Sequence, residues 1–282
     1  MTQIKNIGRF CPNDDSGYII NEANQTKIAS AYDDLIEKVI LTYQNQLGSN
    51  LHSIYIRGSI PRGLGILGVS DLDTICITKK RIEATDLVWV SKAEEELNNS
   101  FPCVSGIEMS FYPIEDFNDT KSFSIIPFMI KTHSVCVLGE DVSSHLPSYK
   151  ADKTLANHHI VHLEDQIEQA KKDLQDNEEK EDVLDCCSWI MKIIVRSGLA
   201  FVLDHVKRYT RDLYPAYEAF AKHYPQYKLN MRQALEYAIN PVPDWKQLMT
   251  FLNVMEEWLV KEADKWLLHY NPHRISNMKL HP

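Results

Sequence analysis

Ile54-Tyr55-Ile56-Arg57-Gly58-Ser59-Ile60-Pro61-Arg62-Gly63, followed after residues 64–70 by Asp71-Leu72-Asp73-Thr74-Ile75-Cys76-Ile77, is the part of the sequence from which the fold can be read. A short apolar run, residues 54–56, reads as a buried strand that stops at a Gly-Ser pair. A glycine-rich loop follows, and Asp-x-Asp opens a second apolar run. Side chains alternate along a strand, so Asp71 and Asp73 point to one side, with no basic residue beside them in sequence. Two like charges held close are costly unless a cation lies between them. A hard divalent ion with oxygen ligands, most simply Mg²⁺, meets that need. Gly58 lets the backbone approach a ligand closely, and Ser59 can donate to a phosphate oxygen. Together these features predict a nucleoside triphosphate held over one or two metal ions.

The pattern Gly58-Ser59-x-x-Arg62-Gly63 with Asp71-x-Asp73 resembles the nucleotidyltransferase superfamily that includes polymerase beta, and within it the small bacterial enzymes that adenylylate aminoglycosides. That family places a third carboxylate on a later strand. The alternating run Gly106-Ile107-Glu108-Met109-Ser110-Phe111-Tyr112 supplies it as Glu108, facing away from Ile107, Met109 and Phe111. The resemblance implies an α+β protein, with a catalytic domain over residues 1–150 (a short mixed sheet flanked by helices) and a helical substrate-binding bundle over residues 151–282. It further implies that Asp71, Asp73 and Glu108 hold Mg²⁺, two ions in the expected arrangement, with Glu108 as base, ligand or both. Gly58, Ser59 and Arg62 would bind the nucleotide, together with two basic residues of the helical domain, Arg196 and Arg211; an internal salt bridge is the other reading of Arg196. The reaction implied moves an NMP, AMP from ATP in the first instance, to a hydroxyl of a small molecule such as an aminoglycoside. Nucleotidylation of a protein or tRNA, and a non-catalytic nucleotide-binding role, are the alternatives. Many relatives dimerise, so a homodimer is compatible with the resemblance.

Composition bears on the acceptor. The 282 residues are 44% hydrophobic and 24% charged, as in an ordinary globular protein, and the net charge is −9. Residues 1–150 carry 13 Lys and Arg against 19 Asp and Glu, and residues 151–282 carry 17 against 20. Both halves are acidic and no basic stripe is present, which argues against a polynucleotide substrate and suits a small or cationic one. No apolar run approaches the ~20 residues of a membrane span, and the N-terminus lacks the apolar core of a signal peptide. The six cysteines form no Cys-x-x-Cys pair, which fits reduced thiols and a cytoplasmic location.

Along the chain, residues 1–23 read as an irregular arm, lying against the nucleotide cleft or simply frayed. Asn24 would cap a helix over 24–47, and a second helix is expected over 86–99. Residues 123–130 form an apolar run broken by Pro127, and a strand then ends at Gly139. From about Asp152 helical periodicity takes over, predicting helices over 155–174, 178–203, 213–223, 230–238 and 245–270. Three local features carry two readings each. Lys79-Lys80-Arg81 meets triphosphate oxygens or is a solvated strand end. His158 and His162 form an i, i+4 metal pair or are structural. Glu178, Glu179, Glu181, Asp182 and Asp185 receive a polycation or favour a helix N-terminus.

Overall fold

A computed structural model describes residues 6–280. The chain divides into two compact units, one of residues 20–149 and one of residues 6–19 with 150–280.

The first unit is built on a four-stranded sheet in the order β3-β2-β1-β4, with β1 at Leu51–Arg57, β2 at Leu72–Thr78, β3 at Ile107–Pro113 and β4 at Ser134–Gly139. β1 runs antiparallel to β2 and β4, and β2 runs parallel to β3. The parallel step needs a crossover, and it carries helix α2, Trp89–Ser100. Helix α1, Asp33–Leu47, buries Leu35, Val39 and Tyr43 against Ile54, Ile56, Leu72, Cys76 and Met109 on one face of the sheet. On the opposite face Tyr55 donates to Asp141 at 3.0 Å and accepts from the Val142 amide at 2.7 Å. The expected helix from residue 24 begins later. Asn24 caps only a 3-10 turn, Gln25–Lys27, before α1 opens at Asp33. Pro127 does not break the run at 123–130; it lies in the first turn of α3, Ile125–His133, where no intrahelical N–H bond is lost.

The second unit is helical. It comprises α4 (Lys153–Ile160), α5 (Leu163–Leu174), α6 (Lys180–Val206), α7 (Leu213–His223), α8 (Lys228–Ile239) and α9 (Trp245–Tyr270). α6 is its axis, packed on α4, α5, α7, α8 and α9, with Ile190, Ile194, Val195 and Leu199 buried. Among the described residues it is the one helix long and apolar enough to cross a membrane, yet 67% of its apolar window is buried inside the protein, as in a core helix. The helix expected over 155–174 is two helices. They part at Val161 and His162, so His158 and His162 do not share one continuous face. The arm joins this unit: the Cys11 amide donates to Tyr209 O at 2.8 Å, the Arg9 amide to Asp212 Oδ2 at 3.0 Å, and Thr210 Oγ1 to Arg9 O at 2.7 Å. Residues 6–19 are thus tied to the helical unit, and residues 1–5 lie outside the described residues. At the other end Asn157 and Asn271 side chains bond each other at 2.8 Å, and both donate to Ile275 O.

Candidate active site

The ends of three neighbouring strands meet on the face of the sheet opposite α1. Arg57, the last residue of β1, is the cross-strand partner of Asp73, and Asp73 is the partner of Glu108 on β3. The three side chains therefore form a row. Arg57 Nη1 lies 3.1 Å from Asp73 Oδ2 and Nη2 lies 2.9 Å from Glu108 Oε2. Burial pushes the Asp73 carboxyl up to about 7; Arg57 pulls it down, while Asp71, Glu108 and a shared hydrogen bond with Glu108 push it further up. Asp71 is exposed just before β2, close enough to Asp73 for its charge to act on it. Glu108 points out of the sheet with 57% of its side chain exposed, as alternation requires when Ile107 and Met109 are buried.

The Gly-Ser loop closes over this row. Gly58 turns at φ +92°, and a methyl group there would stand 3.1 Å from Asp73 Oδ2, so glycine permits both the turn and the close approach. Ser59 precedes a 3-10 turn, Ile60–Arg62, with its carbonyl accepting from the Arg62 and Leu64 amides. Arg62 is buried and its Nε donates to Gly58 O at 3.1 Å, bracing the loop from within. The structure thus brings Gly58, Ser59, Arg62, Asp71, Asp73 and Glu108 together in one unit.

Arg196 and Arg211 belong to the other unit. There they converge: both depress His159 and act on Tyr209, and Arg211 also acts on His158. His159 stacks on Tyr209 with ring centroids 6.1 Å apart, and Tyr209 Oη is 3.4 Å from His159 Nε2. Burial first, then Arg211 and His162, push His158 down to about 4, so it is neutral near pH 7. His162 lies 3.7 Å from Asp165. Arg81, at the end of the basic run, binds Glu115 at 3.1 Å and Asp116 at 2.7 Å. Of the acidic cluster, Asp182 and Asp185 line a cavity of about 490 Å³ with Asp173, Asn177, Cys186 and Trp189.

Arg57 is the residue that sequence reasoning missed. The chain shows no cation beside Asp71-x-Asp73, but the fold delivers one from the neighbouring strand. Its signal was its place as the last residue before Gly-Ser. Donor chemistry bears on the metal. Asp71 and Asp73 offer the hard oxygens that Mg²⁺ takes; Arg57 engages Glu108 and Oδ2 of Asp73, and leaves Asp71 clear. Among the described residues no group of three or more metal-ligating side chains stands assembled. The residues fit one cation on Asp71 and Asp73 better than a three-carboxylate centre.

The architecture, a short mixed sheet with a helical C-terminal part, is the nucleotidyltransferase fold. Among solved structures the chain is similar to a spectinomycin adenyltransferase, AAD(9) from Enterococcus faecialis, determined with ATP and spectinomycin. The TM-score is 0.50 and the identity 15%, over 82% of this chain and 99% of that one. No protein-family model and no curated protein matches the chain.

Proposed function

We propose that the chain is an Mg²⁺-dependent nucleotidyltransferase that moves an NMP, AMP from ATP first among them, to a hydroxyl of a small molecule. The observation that carries this reading is Gly58 turning directly beside Asp73 at the Gly-Ser stop, with Glu108 one strand away. Gly58 lets the backbone come close to the β- and γ-phosphates, and the Ser59 hydroxyl donates to a phosphate oxygen. Asp71 and Asp73 are the residues that would hold Mg²⁺, which when bound neutralises charge on the triphosphate. Glu108, the exposed carboxylate, takes the proton of the acceptor hydroxyl as its oxygen attacks the α-phosphorus and pyrophosphate leaves. Arg196 and Arg211, the two basic residues of the helical unit singled out by the resemblance, are assigned to the triphosphate. Catalysis is assigned to residues 20–149 and acceptor binding to the helical unit.

The acceptor class is argued from charge and from likeness. A chain of net charge −9 with no basic stripe disfavours a nucleic acid, and the cavity at Asp182 and Asp185 suits a cationic ligand. The AAD(9) structure contains ATP and spectinomycin, so aminocyclitols and aminoglycosides head the panel of candidates. The test is pyrophosphate release with each NTP, Mg²⁺ and that panel, beside Asp73→Ala and beside EDTA. Acceptor-dependent release that falls to background in both controls is expected. Release without acceptor, with label on the protein, would replace this reading with protein nucleotidylation; no release with any acceptor while ATP still binds would remove the enzymatic reading.

A further inference from the structure

We infer that Arg57 is a resident positive charge of the carboxylate site and that, by bridging Asp73 and Glu108, it restricts the site to a single divalent ion held by Asp71 and Asp73. The inference rests on the nucleotidyl-transfer reading above, because it is that reaction which calls for metal at these carboxylates.

The geometry is specific. Register places Arg57, Asp73 and Glu108 side by side on β1, β2 and β3. The guanidinium reaches Asp73 Oδ2 at 3.1 Å with one Nη and Glu108 Oε2 at 2.9 Å with the other. A planar fork offers two separated donors in fixed geometry, which suits such a bridge better than the point charge of an ammonium. The Arg57 and Asp73 side chains are 11% and 13% exposed, so that pair is weakly screened, while the Glu108 end of the bridge is open to water. Its buried Nε has no hydrogen-bond partner among the described residues, so the two Nη groups alone fix the guanidinium.

A two-metal centre for in-line displacement holds its ions ~3.5–4 Å apart. An ion shared between Asp73 and Glu108 would have to lie where the guanidinium lies, against a like charge. Asp71 stands outside the bridge, exposed, and the bridge engages Asp73 through Oδ2, so an ion on Asp71 and Oδ1 of Asp73 does not have to take the guanidinium's place. Arg57 then supplies, beside Glu108, the positive charge that a second ion would otherwise provide. Its role is to position Glu108 and set the charge of the site.

The test counts Mn²⁺, added alone to the full chain, by electron paramagnetic resonance of the free ion. Asp73→Asn identifies which bound ions belong to this site. The wild-type chain should take one Asp73-dependent ion, and Arg57→Gln should take one more; no Asp73-dependent ion in the wild type counts against the inference. Arg57→Lys should bind the additional ion more weakly than Arg57→Gln, because an ammonium keeps a positive charge beside the carboxylates. Two Asp73-dependent ions in the wild type, or the same count in Arg57→Gln as in the wild type, overturns the inference. Should Arg57→Gln lack a cooperative thermal transition, the wild-type count decides it. The count uses neither nucleotide nor acceptor. A chain that fails to release pyrophosphate can still show the gain of an ion, and a chain without the gain can still release pyrophosphate.

Discussion

His158 shows how a single side chain can tie stability to pH. Burial, Arg211 and His162 hold it down at about 4, against an ordinary value of 6.5. The native chain therefore keeps His158 neutral at pH values where the unfolded chain has already bound a proton. Its favourable contribution is complete above pH 6.5, falls as pH drops below that value, and is lost by about pH 4. Withholding the proton from one imidazole across that interval costs about 3 kcal/mol of stability at most. Urea unfolding at pH 7 and at pH 4.5 should show His158→Gln losing less stability on acidification than the wild type; equal losses would contradict the prediction. At this same scale the sequence was legible only in part. Gly58, Asp73 and Glu108 could each be picked out, because a Gly-Ser stop, an Asp-x-Asp start and an alternating strand are local patterns. Arg57 could not be paired with them. Its partner is chosen by the register of β1 against β2, and residues 58–71 between the strands do not fix that register.

Among the elements, β2 carries the site because it is tied on both sides. Thr74, between the site residue Asp73 and the core, shares a 2.6 Å hydrogen bond with Tyr43 of α1 and donates to Glu108 O at 2.9 Å. A helix, the central strand and the Glu108 strand are thus joined through one buried hydroxyl. Tyr43→Phe removes the first bond without opening a cavity and should cost about 1–2 kcal/mol in urea unfolding. A larger effect on pyrophosphate release than on stability would show that the bond also sets the height of Asp73. The helices and strands themselves were mostly readable, α7 and α9 to the residue. Failures came where a local signal is degenerate. Pro127 can break a helix or begin one, and the run through residues 155–174 keeps helical spacing across the interruption at His162.

At the scale of the molecule, residues 20–149 are inserted between two parts of the helical unit. Tyr18 and Lys150, at the two ends of the insertion, form an isolated antiparallel bridge. The inserted segment has its own core, so expressed alone it should unfold cooperatively. Trp89, its one tryptophan, packs edge-on to Phe111 at 5.7 Å, so fluorescence would follow that core directly. A broad, non-cooperative transition would show that it leans on the rest of the chain. The arm has a different consequence. Its partners at Lys207, Tyr209 and Asp212 are made some two hundred residues later than the arm itself. During synthesis it must therefore wait, and the ligands it waits for are the same on every copy. Where chains are crowded before the helical unit closes, the arm of one molecule can fill the seat of another, giving an exchanged dimer that shares every contact of the monomer and separates only on unfolding.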